Sequence, residues 1–381
     1  MYCNKIDLEK LIGLDPVNRT YFEDYIRHLQ LRQSKERTVH SKIWRVWAFI
    51  RFTELKDAAT ATRTDVEDYF LERTKSCSPY SVYGYTLELK LFIRWLTPEK
   101  EKELFKNIST KIPKSHLPVD QLITKEDVRD LVSTCNNERE RAIIMLLWDS
   151  AARIGELTPL NIGHVQFDRY GAAIIVSDKT GMRRIRLIES APYLQEWINH
   201  HPLKDNPNAP LFVTHLTYAK QPHRLSPQTI AHQLKGLARR AGVIKRVNPH
   251  AFRHARLTDL ARGAPGKRAL SEMELRLVAG WEKNSGMPEI YVHLSGGDVE
   301  RKLLENAGFV DEEEGADEIS LEPVQCPRCK TLNTATALYC TRCSMALSQE
   351  AALLIEEATA IAMASDDYKE ILAMVKRECG V

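Results

Sequence analysis

Residues 248–256 read NPHAFRHAR. Pro249 suits the first turn of a helix, where its fixed φ helps and its missing N–H costs nothing. His250 and Arg253 then lie three apart on one helical face, an imidazole beside a guanidinium. A helix that begins at Pro249 would also aim backbone N–H groups at an anion. His254 points elsewhere by helical geometry and reads as structural. Such a pair is common by chance, so its meaning depends on what else the chain places nearby.

The chain has 381 residues, too many for one ordinary domain, and 43% of them are hydrophobic, enough for sizeable cores. No apolar run approaches the roughly 18 residues of a membrane span. The opening MYCNKIDLEK has no apolar signal segment. These features place the chain among soluble, cytoplasmic proteins without a membrane partner. The net charge of +3 hides an asymmetry: residues 1–310 carry 48 Lys/Arg and 37 Asp/Glu, residues 311–381 carry 6 and 14. A basic body suits a polyanion such as DNA.

The fold class expected is mainly α with a small antiparallel sheet (α+β). Residues 16–96 read as helices, including 21–33 and 41–55 at helical spacing and 78–96 up to Pro98. Thr64 and Glu67 have the spacing of a capping box opening TDVEDYFLERT. A lysine- and proline-rich stretch follows and reads as a linker. From Thr124, again with a capping-box pattern, a second domain holds the apolar helix 139–152. Residues 164–189 alternate and turn at Tyr170-Gly171 and Lys179-Thr180-Gly181, which predicts a three-stranded antiparallel sheet. Further helices are expected near 191–200, 226–242, 249–263, 271–281 and 298–307.

Around the opening motif this second domain places Arg153 in AARIGEL, Lys179 at the strand turn, Trp281 ending LRLVAGW and Tyr291 in EIYVHLSGG. The order A-x-R-x-x-E-L, hairpin Lys, H-x-x-R, Gly-aromatic, then Tyr ten residues on resembles the tyrosine recombinase (phage integrase) family over about residues 15–310, and in particular archaeal or viral integrases with a C-terminal zinc ribbon. The resemblance implies a helical core-binding, DNA-clamping domain at 1–110, a basic linker at 111–123 and a catalytic domain at 124–310. An acidic linker at 311–321, a ribbon at 322–347 and a helical segment at 348–381 complete the chain.

The chemistry explains the residue types. Rejoining DNA without a high-energy cofactor requires a nucleophile that keeps the bond energy, and Tyr291 would do so as a covalent 3′-phosphotyrosine. Arg153 and Arg253 are the expected phosphate clamp, because a guanidinium fork binds two oxygens and stays charged. His250 suits acid–base or phosphate-bonding work near neutral pH. The resemblance makes Lys179 the acid for the 5′-oxygen, with Arg183, Arg184 and Arg186 left as phosphate contacts or strand-face charges. Trp281 stands where His is commoner in the family; it supplies an indole N–H or simply a core aromatic. Glu156 is expected to orient Arg153 or a neighbouring basic side chain, or to be a surface carboxylate. His293 is an ambiguous phosphate candidate. Whether Tyr291 serves its own or a neighbour's site stays open.

Cys326, Cys329, Cys340 and Cys343 form two C-x₂-C knuckles separated by ten residues. Four thiolates at this spacing suit structural Zn²⁺; disulfides, a redox pair or an iron–sulfur site are the alternatives. The partners implied are double-stranded DNA at a specific target site and further copies of the chain, a tetramer on DNA. A type IB-like topoisomerase and an inactive DNA-binding protein with a contact module are the competing functions.

Overall fold

The computed structural model describes residues 14–113, 121–178, 181–214, 221–263, 268–283, 285–288, 291, 307–308 and 320–364. Lys179, His293, residues 298–306 of the helix expected near 298–307 and the tail beyond 364 lie outside the described residues. The chain divides into two compact units, Met1–His116 and Leu117–Val381, so the division falls inside the stretch expected as a linker.

The first unit is helical: α1 (Pro16–Leu31), α2 (Glu36–Thr53), α3 (Arg63–Ser76), α4 (Pro79–Leu96) and the short α5 (Glu101–Leu104). Asp15 and Ser78 cap α1 and α4, each followed directly by proline. The expected capping box at Thr64 is shifted by one pair. Thr62 is the N-cap and exchanges hydrogen bonds with Asp65, because Thr62 already has extended backbone while Thr64 lies inside the helix. Glu67 is instead taken by Arg63 at 2.7 Å. Phe22, Ile43, Leu89, Phe92 and Ile93 make the core, with Phe22 and Phe92 edge to face at 5.9 Å.

In the second unit, α6 (Lys125–Ser133) begins with the Thr124–Asp127 capping box, as its sequence indicates. It leads to α7 (Glu138–Ser150), which is apolar on nearly every face and is therefore sunk in the core. Helix α7 ends at Ala151 with φ 49°, and this reversal leads through Arg153 into α8 (Ile154–Leu157). Strands β1 (Val165–Asp168), β2 (Gly171–Asp178) and β3 (Gly181–Leu187) form one antiparallel sheet in that order. Their register pairs Val165 with Ile174 and Ile174 with Ile185, which points one row of side chains into the core. Gly171, at φ 126°, has Leu187's carbonyl 2.4 Å from where a Cβ would stand, so no larger residue fits the first turn.

Helices α9 (Ala191–Asn199), α10 (Pro227–Arg240), α11 (Pro249–Arg262) and α12 (Glu272–Ala279) complete the packing. Beneath α11, Arg256 reaches Asp259 at 2.8 Å, Glu189 at 3.2 Å and Asp149 at 3.5 Å. Asp149 also accepts from the Ile188 and Ser190 N–H groups, and Trp148 donates to Glu189. Buried charges persist when paired in this way. The network fixes α11 against both α7 and the exit from β3.

The cysteine segment adds a small hairpin, β4 (Val324–Gln325) with β5 (Leu332–Asn333), and a helix α13 (Gln349–Ala364). Leu321 is buried in the main core of the unit.

Candidate active site

Two of the expected residues stand on α11 and two on the loops beside it. Arg253 is buried, and its two terminal nitrogens donate to the carbonyls of Ala151 at 2.8 Å and Ala279 at 2.7 Å. It therefore ties the end of α7 to the end of α12, which explains why α7 must finish in a left-handed residue that turns its carbonyl inward. Burial, and then Arg153 nearby, lower its pKa to about 10, so it remains a cation at neutral pH.

Arg153 lies on the same side and is the more exposed of the pair. Its backbone N–H and Nη1 both reach Glu156, at 2.7 and 3.3 Å. Glu156 is buried and holds a second partner, Arg183 of β3, in a fork with two bonds of 2.8 Å. Burial alone would raise the Glu156 carboxyl; Arg183 and the Arg153 N–H bring it below its ordinary range. Arg183, expected as a phosphate contact or strand-face charge, thus has a protein partner in this structure. Its nitrogens are committed to Glu156 and to the Val278 carbonyl. Gly280, at φ 62°, lies so close that a Cβ would stand 2.5 Å from the Arg183 guanidinium. Arg183 consequently joins the hairpin to both loops that carry the site.

His250 is exposed at the start of α11. Partial burial of its ring, and then the charges of Arg253, Arg153 and Arg246, lower its pKa. The backbone contribution expected from this helix start is absent here. Asn248 caps the helix and takes the N–H groups of His250 and Ala251 at 3.0 and 2.9 Å, leaving neither for an anion.

Tyr291 is fully buried in a cluster with Ala151, Leu257, Ala261, Leu275 and Ala279 of its own chain. Its ring stacks with Trp281, centroids 5.3 Å apart, and with His254, 5.6 Å apart. Trp281 also lies 5.8 Å beneath the Arg253 guanidinium, within cation–π range. Burial raises the Tyr291 phenol to about 12, although Arg253 and Arg153 both pull it down. The structure therefore brings Arg153, Glu156, His250, Arg253, Trp281 and Tyr291 into one region of the second unit; Lys179 lies outside the described residues.

His254 is corrected. It is not a bystander, because its Nδ1 meets the Tyr291 hydroxyl at 2.5 Å and its ring lies 4.2 Å from that of His250. The signal in the sequence was the four-residue separation of the two histidines, which stacks them on one face more directly than a three-residue step.

Elsewhere in the second unit, the four cysteine sulfurs lie within 4.8 Å of one another, with Cys326–Cys343 at 3.6 Å and Cys329–Cys340 at 3.5 Å. A tetrahedral ion with bonds of ~2.3 Å would hold its sulfurs roughly 3.8 Å apart. The two knuckles repeat one another: Lys330 and Ser344 have left-handed backbone and donate to the carbonyls of Cys326 and Cys340, both at 2.9 Å. The buried Asn333 side chain joins them by accepting from Thr341 and donating to Thr331. This set of thiols fits a metal ion.

The profile of the phage integrase family matches residues 121–296. The tyrosine recombinase XerA of Pyrococcus furiosus is 27% identical over 254 residues, covering 66% of this chain and 83% of that protein. Among solved structures, the integrase of transposon Tn1549 in complex with circular intermediate DNA matches with TM-score 0.56 and 17% identity over 75% of this chain and 99% of that one. The lambda integrase dimer bound to a COC′ core site gives TM-score 0.56 and 13% identity over 76% and 80%. At these identities the solved structures establish the fold.

Proposed function

The chain belongs to the phage integrase family of tyrosine recombinases, and on that premise we propose that it cuts and rejoins double-stranded DNA at a specific site through a phosphotyrosine link. The observation that carries the proposal is the convergence of Arg153, Arg253 and Tyr291, reached from α7–α8, α11 and the segment after α12. A phosphate held by the two guanidiniums would lie beside the phenol that attacks it. Arg253 is rigid before DNA arrives, since backbone carbonyls and the Trp281 ring hold it. Preorganised charge of this kind stabilises a transition state without reorganisation. Glu156, through Arg183, sets the loop that carries Arg153. His250 and Trp281 complete the phosphate cradle, and Lys179 is the acid for the 5′-oxygen. Tyr291 is covered in the resting chain, so DNA engagement must open a path from the held phosphate to the phenol.

The partner proposed is target DNA with further copies of this chain, a tetramer during strand exchange, which places the protein on the chromosome or a mobile element. None of the described helices is long and apolar enough to cross a membrane. The cysteine module is proposed to hold one structural zinc through Cys326, Cys329, Cys340 and Cys343. Bound there, the ion would supply folding energy, while four protein ligands leave no position for substrate.

Incubation with a nicked suicide substrate containing the target site should leave protein covalently attached to DNA, and Tyr291→Phe should bind the DNA yet leave none. Adduct from Tyr291→Phe would overturn the assignment. Efficient relaxation of supercoiled plasmid lacking the site would favour a topoisomerase instead.

A further inference from the structure

The attack described above releases a proton from the Tyr291 hydroxyl, and the groups around that oxygen differ sharply in their ability to receive it. Arg253 and Arg153 are cations with no lone pair to offer. Trp281 has an indole N–H that donates. The structure's one described side-chain hydrogen bond of the phenol joins it to His254 Nδ1, which accepts from the hydroxyl in the tautomer protonated at Nε2. The same imidazole is in T-shaped contact with the ring of His250, which is exposed. The three rings thus run from the buried phenol to solvent.

We propose that His254 is a catalytic residue that accepts the Tyr291 proton during strand cleavage, with His250 as the outlet. The inference rests on the reading of Tyr291 as nucleophile. As the phenol oxygen bonds to phosphorus, its proton passes to His254 Nδ1 and the bond from phosphorus to the 5′-oxygen breaks. That oxygen takes a proton from a separate acid, Lys179 in the reading above. Rejoining runs in reverse: His254 returns the proton to the departing phenolate while the 5′-hydroxyl gives up its own.

In the resting chain this transfer is strongly uphill. Burial, His250 and Arg253 depress the His254 imidazole to about 4, while burial raises the phenol to about 12. A bound phosphate changes both sides. Its negative charge offsets the Arg253 field on the imidazole, and partial bonding to phosphorus makes the phenolic proton acidic. The same pair that transfers a proton on DNA therefore keeps the nucleophile protonated without it.

The test uses the full chain and two nicked substrates carrying the target site, one with an ordinary 5′-oxygen at the scissile bond and one with a 5′-sulfur, which leaves without an acid. His254→Asn and His254→Gln, checked for unchanged melting and DNA binding, should form adduct on the order of 10²–10⁴-fold more slowly than wild type. The deficit should persist on the sulfur substrate, whereas that of Lys179→Ala should shrink. Replacing Tyr291 by a fluorotyrosine, whose phenol is more acidic, should narrow the gap between His254 and its variants. Wild-type or faster cleavage by a folded variant would overturn the inference and leave His254 as a latch on the resting phenol. Rescue by sulfur would move it to the leaving-group side and overturn it equally. A chain that folds with neither amide would make residue 254 a packing residue, which also overturns it. If wild type itself forms no adduct, the nucleophile reading has failed; adduct in wild type with equal rates in the variants sinks this inference alone.

Discussion

Two regions of the second unit gather reactive side chains, and they balance them in opposite ways. Around α11 buried and half-buried charges meet protein: Arg253 two carbonyls, Arg183 the Glu156 carboxylate, Arg256 three acids. In the cysteine module four sulfurs face one another across less than 4.8 Å, held by mirrored backbone turns. The first region is organised by the fold's own groups, as the proposed grip on a phosphate requires. The second is a donor set shaped for a cation. On the zinc reading proposed above, one would survive a chelator and the other would not.

Breaking the first region should have the larger effect on chemistry. Arg253→Lys keeps a positive charge but cannot span the Ala151 and Ala279 carbonyls while presenting a fork to phosphate. Adduct formation should fall on the order of 10²–10³-fold, with DNA binding much less affected. Near-normal cleavage by this variant would show that charge alone suffices and that the rigid fork is irrelevant.

The second region is separated by chelation. Purified protein should contain about one zinc per chain, and its removal, or Cys340→Ser, should unfold the module and lower the melting temperature of the whole protein. Adduct formation per folded molecule on the suicide substrate should change far less than in Arg253→Lys. A metal-free protein with unchanged melting would end the contrast.

The smallest effect concerns pH. His254 titrates near 4 when folded and near its ordinary 6.5 when unfolded, because burial, His250 and Arg253 oppose its charge. Between those values the unfolded chain binds the extra proton. The contribution is therefore complete above pH 6.5 and lost as pH falls toward 4. His250, whose pKa is also lowered, acts in the same sense. Wild type should lose on the order of 1–3 kcal/mol more than His254→Asn across that window in urea titrations. Parallel curves for the two proteins would contradict the burial of this imidazole.

Much of this was legible in the sequence because local rules act over short distances. The Thr124 capping box, the alternation of 164–189 and the helix from Pro249 follow from spacing that neighbours cannot easily override. The Thr62 cap was misplaced by two residues since threonines at 62 and 64 each have an acid three residues on, and backbone conformation decides between them. Arg183 was out of reach for a different reason. Its partner Glu156 is 27 residues away, and the bond exists because the sheet folds back over α8. Asn248 taking the helix-start N–H groups could have been read from the sequence, since asparagine is a strong cap. The contact of His254 with Tyr291 joins residues 37 apart, beyond the reach of any local spacing rule.

The account depends most on a single placement: one DNA phosphate between the Arg153 and Arg253 guanidiniums, in line with the Tyr291 oxygen. A crystal structure of the chain on its target site with vanadate standing in for the scissile phosphorus would test it. The expected result is vanadium bonded to the Tyr291 oxygen, with both guanidiniums on its equatorial oxygens and His254 beside the phenol. Vanadate bound to another side chain, or lying beyond the reach of Arg153 and Arg253, would contradict it.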